Sequence, residues 1–175
     1  HFLATDSILL GGTEEQRQRW LPGAAQGERL GAFALTEPGA GSNPAEISTR
    51  ATRGSQGWRI HGTKHFITNG GAADFIIVFA KTDPAAGHRG ISAFYVPRSA
   101  QGLTLEKPEP ILGVRASHIV ELQFDECMVP HDHLLGDEPK TSSERAKLGD
   151  ALAALKREDP TFQCRFDSET GETII

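Results

Sequence analysis

The sequence predicts a mainly β protein whose middle domain is an antiparallel β-barrel or sandwich. From Leu30 to Val129, glycine and proline separate short stretches that are rich in β-branched and aromatic residues. This spacing is typical of several short strands joined by turns, and few helical patterns interrupt it. A short helical segment precedes this region, and a small, incomplete α+β unit follows it.

Four stretches of the middle region are predicted as strands. Residues 119–124 alternate clearly, because Val120, Leu122 and Phe124 share one face while polar side chains share the other. Residues 57–62 and 91–96 have the composition of strands as well. Residues 75–80 are apolar throughout, which predicts a strand that is buried on both faces.

A capping box predicts the helix that comes before the sheet. Thr13 and Gln16 have the Thr-x-x-Gln spacing, and two glutamates lie in the first turn, where the helix dipole favours negative charge. The predicted helix runs from about Thr13 towards Trp20. Pro22 and the glycine after it are expected to end it.

The character of the sequence changes after residue 137. Residues 138–175 carry 14 of the 41 charged side chains in only 38 positions, so we place a domain boundary near Glu138. A second capping box begins at Thr141, and an amphipathic helix is predicted over 148–155, before Pro160. Strands are predicted over 161–166 and from Thr173 onwards. Together these elements make the predicted α+β unit.

Composition excludes several classes of function. The net charge of −5 does not suggest a nucleic-acid partner. No apolar run approaches the roughly 18 residues that a membrane span needs. Residues 1–10 lack the basic leader of a signal peptide. The two cysteines, Cys127 and Cys164, are expected to be free thiols in a reducing compartment, and the scattered histidines make no metal-binding pattern.

The first segment with chemical potential is the glycine-rich stretch from Leu35 to Ser42, Leu-Thr-Glu-Pro-Gly-Ala-Gly-Ser. Gly39 and Gly41 permit positive φ and let a flat or anionic ligand approach the backbone. Exposed N–H groups in such a loop can bond carbonyl or phosphate oxygens. The alternative is a plain turn without function. A nucleotide P-loop is excluded because no Gly-Lys-Ser/Thr follows.

The second segment covers residues 62–71, Gly-Thr-Lys-His-Phe-Ile-Thr-Asn-Gly-Gly. In an extended chain Phe66 and Thr68 point to the same side. An aromatic face beside a hydroxyl suits a planar heterocycle, since stacking holds the ring and the hydroxyl fixes its orientation. The alternative is a half-buried strand that enters a turn at Asn69 and Gly70.

A third segment, Leu112 to Ser117, reads Leu-Gly-Val-Arg-Ala-Ser and precedes a clear strand. It could contact a ligand through Arg115, or it could be a surface turn with a solvated arginine. The residues themselves leave both interpretations open.

In combination, these segments resemble the acyl-CoA dehydrogenase family. Its flavin signature is similar to residues 35–42, its Lys-x-x-Ile-Thr-Asn-Gly stretch to residues 64–70, and its Leu-Gly-x-Arg-x-Ser turn to residues 112–117. A Val-Pro…Leu-Leu-Gly ending is matched by residues 129–136. The resemblance covers residues 1–137 nearly end to end. It implies that residues 1–30 end a helical N-terminal domain and that residues 31–137 form an FAD-binding β-barrel domain.

The resemblance implies FAD as cofactor and removal of two hydrogens from an acyl-CoA thioester, with hydride transfer to the flavin. Leu35 and Thr36 would bond the pyrimidine edge of the flavin. Ser42, beside Gly41 in the loop, would reach the pyrophosphate. Phe66 would lie against the isoalloxazine, where the family often has tryptophan, and Thr68 would bond near N5. Asn43 departs from the aspartate that the family often has there.

The resemblance also implies what the chain lacks and which partners it has. The family's C-terminal helical domain, which usually supplies the glutamate base and much of a homo-oligomeric interface, is not matched, so we expect a fragment that is inactive alone. The expected partners are an acyl-CoA and an electron-transfer flavoprotein, with no nucleic acid and no membrane. The expected location is the cytoplasm of a bacterium or the mitochondrial matrix of a eukaryote.

Residues 138–175 resemble something else, part of domain III of translation elongation factor G. The resemblance lies in the stretch from Glu138 to Thr141, the predicted helix, residues 158–162 and residues 169–175. A ribosome-binding module without GTPase activity is therefore the alternative function. A third interpretation is a β-domain that serves only in protein interaction.

Overall fold

A computed structural model describes residues 1–136, 165–166 and 173–174. Two helices open the chain, α1 (Phe2–Gly11) and α2 (Glu14–Ala25). The predicted capping box of α2 is confirmed: the Thr13 hydroxyl accepts from the Gln16 N–H at 3.2 Å, and the Thr13 N–H donates to Gln16 Oε1 at 2.9 Å.

The predicted end of α2 is wrong. The helix continues past Trp20 and includes Pro22, ending at Ala25. Pro22 lies in the last turn, and its missing N–H removes only one helical hydrogen bond, the one to the carbonyl of Gln18. The Pro22 carbonyl accepts from the Gln26 N–H at 3.0 Å, and this bond closes the final turn.

Seven strands form one curled sheet, which confirms the mainly β fold. They are β1 (Gly31–Ala34), β2 (Arg50–Arg53), β3 (Trp58–Ile67), β4 (Phe75–Lys81), β5 (Ile91–Pro97), β6 (Leu103–Leu105) and β7 (Val120–Val129). The order is β1-β4-β2-β3-β7-β6, and β5 pairs with the other side of β4. Most pairings are antiparallel, whereas β1 and β2 each pair with β4 in parallel.

Strand β4 separates two apolar cores, as its unbroken apolar sequence predicts. Ile76, Val78 and Ala80 belong to the core inside the curled sheet. Phe75, Ile77 and Phe79 belong to the core that the helices cover, together with Trp20 of α2. The Trp20 ring stacks on Tyr95 of β5 with centroids 4.2 Å apart, so the helices are fixed against the sheet.

Three short strands, β1, β2 and β6, complete the sheet beside the four stretches predicted above. β2 and β6 are only four and three residues long, and the pattern of β2 is largely exposed. They pair with the longer strands β3 and β7, which supply most of the burial.

Little of the C-terminal region lies within the described residues. Arg165–Phe166 (β8) and Thr173–Ile174 (β9) are strands that pair with each other, consistent with the strands predicted there. The predicted helix over 148–155, its capping box and Cys164 lie outside the described residues. Within the described ranges, no helix combines the length and the apolar character that crossing a membrane requires.

Candidate functional site

The glycine-rich segment and the second segment lie side by side in the structure. The Thr36 carbonyl accepts from the His65 N–H at 2.9 Å, and the Leu35 carbonyl accepts from the Lys64 ammonium at 3.0 Å. The end of β1 is therefore bonded to the end of β3. Each of these bonds joins residues 29 positions apart in sequence, and the two segments form one surface.

A buried ion pair stabilises this junction. Lys64 Nζ lies 2.7 Å from Glu37 Oε1, and the two side chains are 0% and 3% exposed. The other Glu37 oxygen accepts from the N–H and the hydroxyl of Ser48 at 2.6 and 2.7 Å, and the Thr49 N–H donates to Oε1 at 3.0 Å. Glu37 thus ties the loop after β1 to both β3 and the start of β2.

The pair is ionised at neutral pH. Burial acts to raise the pKa of the Glu37 carboxyl, but the hydrogen bonds and positive charge of Lys64 outweigh it and bring the pKa to about 2. Burial lowers the pKa of Lys64 to about 8, against the opposing effect of Glu37. This buried pair was not predicted from the sequence. The alternation of β3 does indicate it, because Lys64 follows the buried residues Trp58 and Ile60 at even spacing and so lies on the buried face of the strand.

A β-bulge shapes the surface next to this pair. Lys64 pairs with Leu122 and Ile67 pairs with Val120, so His65 and Phe66 stand opposite the single residue Glu121. Phe66 has a φ of +56°, so the segment is not simply extended as predicted. The alternation of exposure nevertheless resumes: Phe66 is 56% exposed, Ile67 is buried, and Thr68 is exposed.

The predicted contact residues are available to a ligand. The hydroxyls of Thr36, Ser42 and Thr68 make no hydrogen bond within the part of the chain that the structure describes. A ligand could therefore bond them without displacing an internal partner. The Phe66 side chain, two residues before Thr68, is also exposed. Hydroxyl donors suit the polar edge of a flavin, and an exposed aromatic ring suits its flat face.

The glycines of the first segment are not required by the backbone. Glu37 and Ala40 close a tight turn through two hydrogen bonds of 3.0 and 3.1 Å, with Pro38 and Gly39 at its tip. Neither Gly39 nor Gly41 has a positive φ, so the turn does not use the left-handed conformations that glycine permits. A methyl group on either would meet no atom within 4 Å, which leaves the space above them open to a ligand.

The third segment is an exposed loop that touches the second. Leu112 and Val114 are 99% and 81% exposed, and Arg115 is exposed at the start of a short 3₁₀ turn. The Ser117 carbonyl accepts from the Asn69 N–H at 2.6 Å, so the loop borders the Thr68 turn. Backbone hydrogen bonds thus connect the second segment to both the first and the third.

An open groove of about 630 Å³ lies next to this surface, along the outer face of β2 and β3. It shares Glu37, Pro38 and Gly39 with the glycine-rich segment, whereas Phe66 and Thr68 are not part of its lining. Its remaining walls are mostly polar and charged side chains, and Arg59 there pairs with Glu126 at 3.8 Å.

Comparison with known proteins gives the class of the chain. The model for "Acyl-CoA dehydrogenase, middle domain" matches residues 32–127, and that for "Elongation Factor G, domain III" matches residues 137–175. An acyl-CoA dehydrogenase of Bacillus subtilis is 46% identical over 136 residues, covering 78% of this chain and 36% of that protein.

Solved structures agree. The acyl-CoA dehydrogenase of Geobacillus kaustophilus has a TM-score of 0.73 at 37% identity and covers 93% of this chain and 47% of its own. A glutaryl-CoA dehydrogenase of Mycobacterium smegmatis, solved in complex with FADH2, has a TM-score of 0.69 at 38% identity, covering 86% and 39%.

The curled sheet and the two helices before it place the chain in the class of β-domains that these solved dehydrogenases contain. Within that class, the chain belongs to the acyl-CoA dehydrogenase family, because the family model matches more than half of it. The chain spans about a third of the length of the curated relative it matches.

Proposed function

We propose that this chain contributes the flavin-holding surface of an enzyme that desaturates an acyl-CoA thioester between its α and β carbons. Bound FAD would supply the hydride acceptor. The observation that carries the proposal is the bonding of Thr36 to His65, which places the glycine-rich loop against the strand end that bears Phe66 and Thr68. Two weak sequence signals thereby become one surface with the donors and the aromatic face that a flavin needs.

The residues have separate roles in this proposal. Leu35 and Thr36 bond the pyrimidine edge, where negative charge collects when a flavin is reduced, and donors fixed in advance stabilise that charge. Thr68 orients the ring near its reactive nitrogen, and Phe66 covers one face of the ring. Ser42 binds the pyrophosphate, and Gly41 allows the ligand to approach the backbone closely.

No general base is assigned within the described residues. Glu37, the acidic residue within the glycine-rich segment, is held by Lys64, Ser48 and Thr49, so its carboxylate is occupied in a structural role. General-base catalysis typically contributes about 10²–10⁴-fold. We therefore expect the isolated chain to lack turnover. By family, an acyl-CoA and an electron-transfer flavoprotein are its expected partners, whereas much of the family's homo-oligomeric interface is expected to lie outside the part of the family that this chain matches.

The test is a titration of the whole chain with FAD, followed by flavin fluorescence and by the visible absorption bands. Binding should quench the fluorescence and shift the bands. Thr68→Val should weaken binding, while Thr104→Val, an exposed threonine on β6, serves as the matched control. An unchanged flavin signal at saturating protein would reject the proposal. Anaerobic bleaching of bound flavin by an acyl-CoA would reject only the expectation of inactivity.

We also propose a division into three parts: 1–30 as the end of a helical domain, 31–137 as the flavin domain, and 138–175 as a partial elongation-factor-like domain. The match of residues 137–175 to domain III of elongation factor G favours ribosome binding as a second candidate function for that last part. Co-sedimentation of the chain with ribosomes would support it. Loss of co-sedimentation on deleting residues 138–175 should accompany that result.

A further inference from the structure

His65 lies between two carboxylates contributed by different segments. Its Nε2 is 3.1 Å from Glu109 Oε1, and its Nδ1 is 3.8 Å from Glu121 Oε2. Glu121 belongs to β7, whereas Glu109 precedes it and is itself anchored by a 2.8 Å bond from its N–H to the Ile119 carbonyl. The edge of the imidazole is therefore fixed from two directions, and the side chain is only 24% exposed.

The flat face of the same imidazole carries Phe66. The ring centroids are 4.0 Å apart and the planes are inclined by 15°, which is a stacked arrangement. Consecutive residues of a regular strand point to opposite faces and cannot stack. The bulge and the positive φ of Phe66 remove this obstacle, so the local irregularity of β3 produces the stack.

Phe66 has little else to hold it. Its side chain is 56% exposed, and within residues 1–136 His65 supplies the one aromatic ring packed against it. An exposed phenylalanine without such a neighbour would exchange among rotamers, and a ligand that stacked on it would have to stop that exchange.

We propose that His65 is a positioning residue that holds the Phe66 ring ready for the flavin, with Glu109 holding His65 in turn. The flavin part of this inference rests on the proposed function. The contact itself does not, because it exists in the chain alone. His65 acts through Phe66 and touches neither cofactor nor substrate in this scheme.

The test uses the full chain with the variants His65→Ala and Glu109→Gln. His61→Ala is the matched control, because His61 is on the same strand and also faces two carboxylates, those of Asp125 and Glu126 at 3.7 and 3.8 Å. Far-UV circular dichroism verifies the fold of each variant.

The first measurement is NMR of the Phe66 ring without FAD. The wild-type chain should show contacts between the His65 and Phe66 ring protons and an upfield shift of the Phe66 signals. His65→Ala should abolish the shift, Glu109→Gln should reduce it, and His61→Ala should leave it unchanged. A Phe66 ring shift that is equal in wild type and His65→Ala would overturn the inference, whether or not FAD binds.

The second measurement is the FAD titration. A stacking contribution of ordinary size predicts that His65→Ala raises the Kd for FAD by roughly 2- to 10-fold. It should also alter the band shape of the bound flavin at saturation, a change that lowered stability alone would not cause. If the wild type binds FAD and the bound spectrum of His65→Ala is identical, positioning is refuted while the proposed function stands. If the wild type does not bind FAD, the proposed function fails and the NMR result decides the positioning role.

Discussion

Lys64 Nζ lies 2.7 Å from Glu37 Oε1 in a place where both side chains are almost fully removed from solvent. The pair connects the loop after β1 with β3, and the Lys64 ammonium also binds the Leu35 carbonyl. A buried ion pair does not by itself add stability over an apolar pair, but the loss of one partner leaves the other charge unsatisfied. The junction of the two candidate flavin-binding segments therefore depends on both residues.

Lys64→Met should destabilise the chain by about 3–5 kcal/mol, because the Glu37 carboxylate would remain buried without its counter-charge. The double variant Glu37→Gln/Lys64→Met should lose clearly less. Urea unfolding followed by circular dichroism measures both. Asp132→Asn is the control: it breaks the Arg19–Asp132 pair, which is also 2.7 Å long but more than half exposed, and should cost at most about 1 kcal/mol. Equal losses for Lys64→Met and Asp132→Asn would contradict the argument.

The Glu37 pKa predicts how stability depends on acid. The folded-state pKa is about 2 and the ordinary value is 4.5, so in acid the unfolded chain takes up the proton first. The contribution of Glu37 is fully present above about pH 4.5 and is lost as the pH falls towards 2. Unfolding free energies measured across this window should fall more steeply for the wild type than for Glu37→Gln. Parallel curves for the two proteins would show that the fold does not lower the pKa of Glu37.

Gln16 joins α2 to the segment that follows β7. Its amide donates to the carbonyls of Leu134 and Asp132 at 2.6 and 3.0 Å, while its oxygen accepts from the N–H groups of Thr13 and Gly136. Gln16→Glu keeps the acceptor and removes both donations, leaving carbonyls unsatisfied at about 1–3 kcal/mol each.

Gln16→Glu should therefore destabilise the fold more than Thr13→Ala, which removes only the helix cap and costs about 1 kcal/mol. Thermal unfolding of the two variants compares them directly. The reverse order would mean that the cap, and not the link to Leu134, holds the helix in place.

The framework of this fold could be predicted from the sequence where the physics is local. Alternation in residues 119–124 and the apolar run over 75–80 each correspond to a strand. A strand that is buried on one face has alternating apolar residues, and a strand that is buried on both faces is apolar throughout. β2 and β6 could not be predicted, because strands of three or four residues that are mostly exposed depend on pairing with longer strands. The parallel pairing of β1 with β4 depends on distant contacts that no local pattern encodes.

The candidate site divides in the same way. The exposure of two candidate residues could be predicted, since Phe66 and Thr68 are both exposed on either side of buried Ile67. The contacts that hold these residues could not be predicted. Glutamate and lysine side chains are usually solvated, so the residue types alone do not indicate the buried pair of Glu37 and Lys64. The stack of His65 on Phe66 requires a β-bulge, whereas the sequence predicts a regular strand.

The three unbonded hydroxyls predict different losses of FAD affinity. Thr36→Val and Thr68→Val should each weaken binding by roughly 2- to 10-fold, the value of one neutral hydrogen bond, and should alter the absorption bands because they act on the ring. Ser42→Ala should weaken binding by more, since bonds to a charged phosphate are stronger, and should leave the band shape unchanged. Titrations at two salt concentrations distinguish the two kinds of bond, because salt weakens a bond to a charged phosphate more than a neutral hydrogen bond. A band change in Ser42→Ala would place that residue at the ring instead.

Alanine variants of Gly41 and Gly62 distinguish a glycine that ligand binding requires from a glycine that the fold requires. Gly62 has a φ of +144°, and an added methyl would lie 2.6 Å from Thr49 Oγ1, so Gly62→Ala should destabilise the chain. Gly41 has open space around it, and Gly41→Ala should unfold at the wild-type denaturant concentration. If Gly41 serves the close approach of FAD, the same variant should lose affinity by at least several-fold while remaining fully folded. Unchanged FAD affinity in Gly41→Ala would mean that the ligand does not pass over this loop.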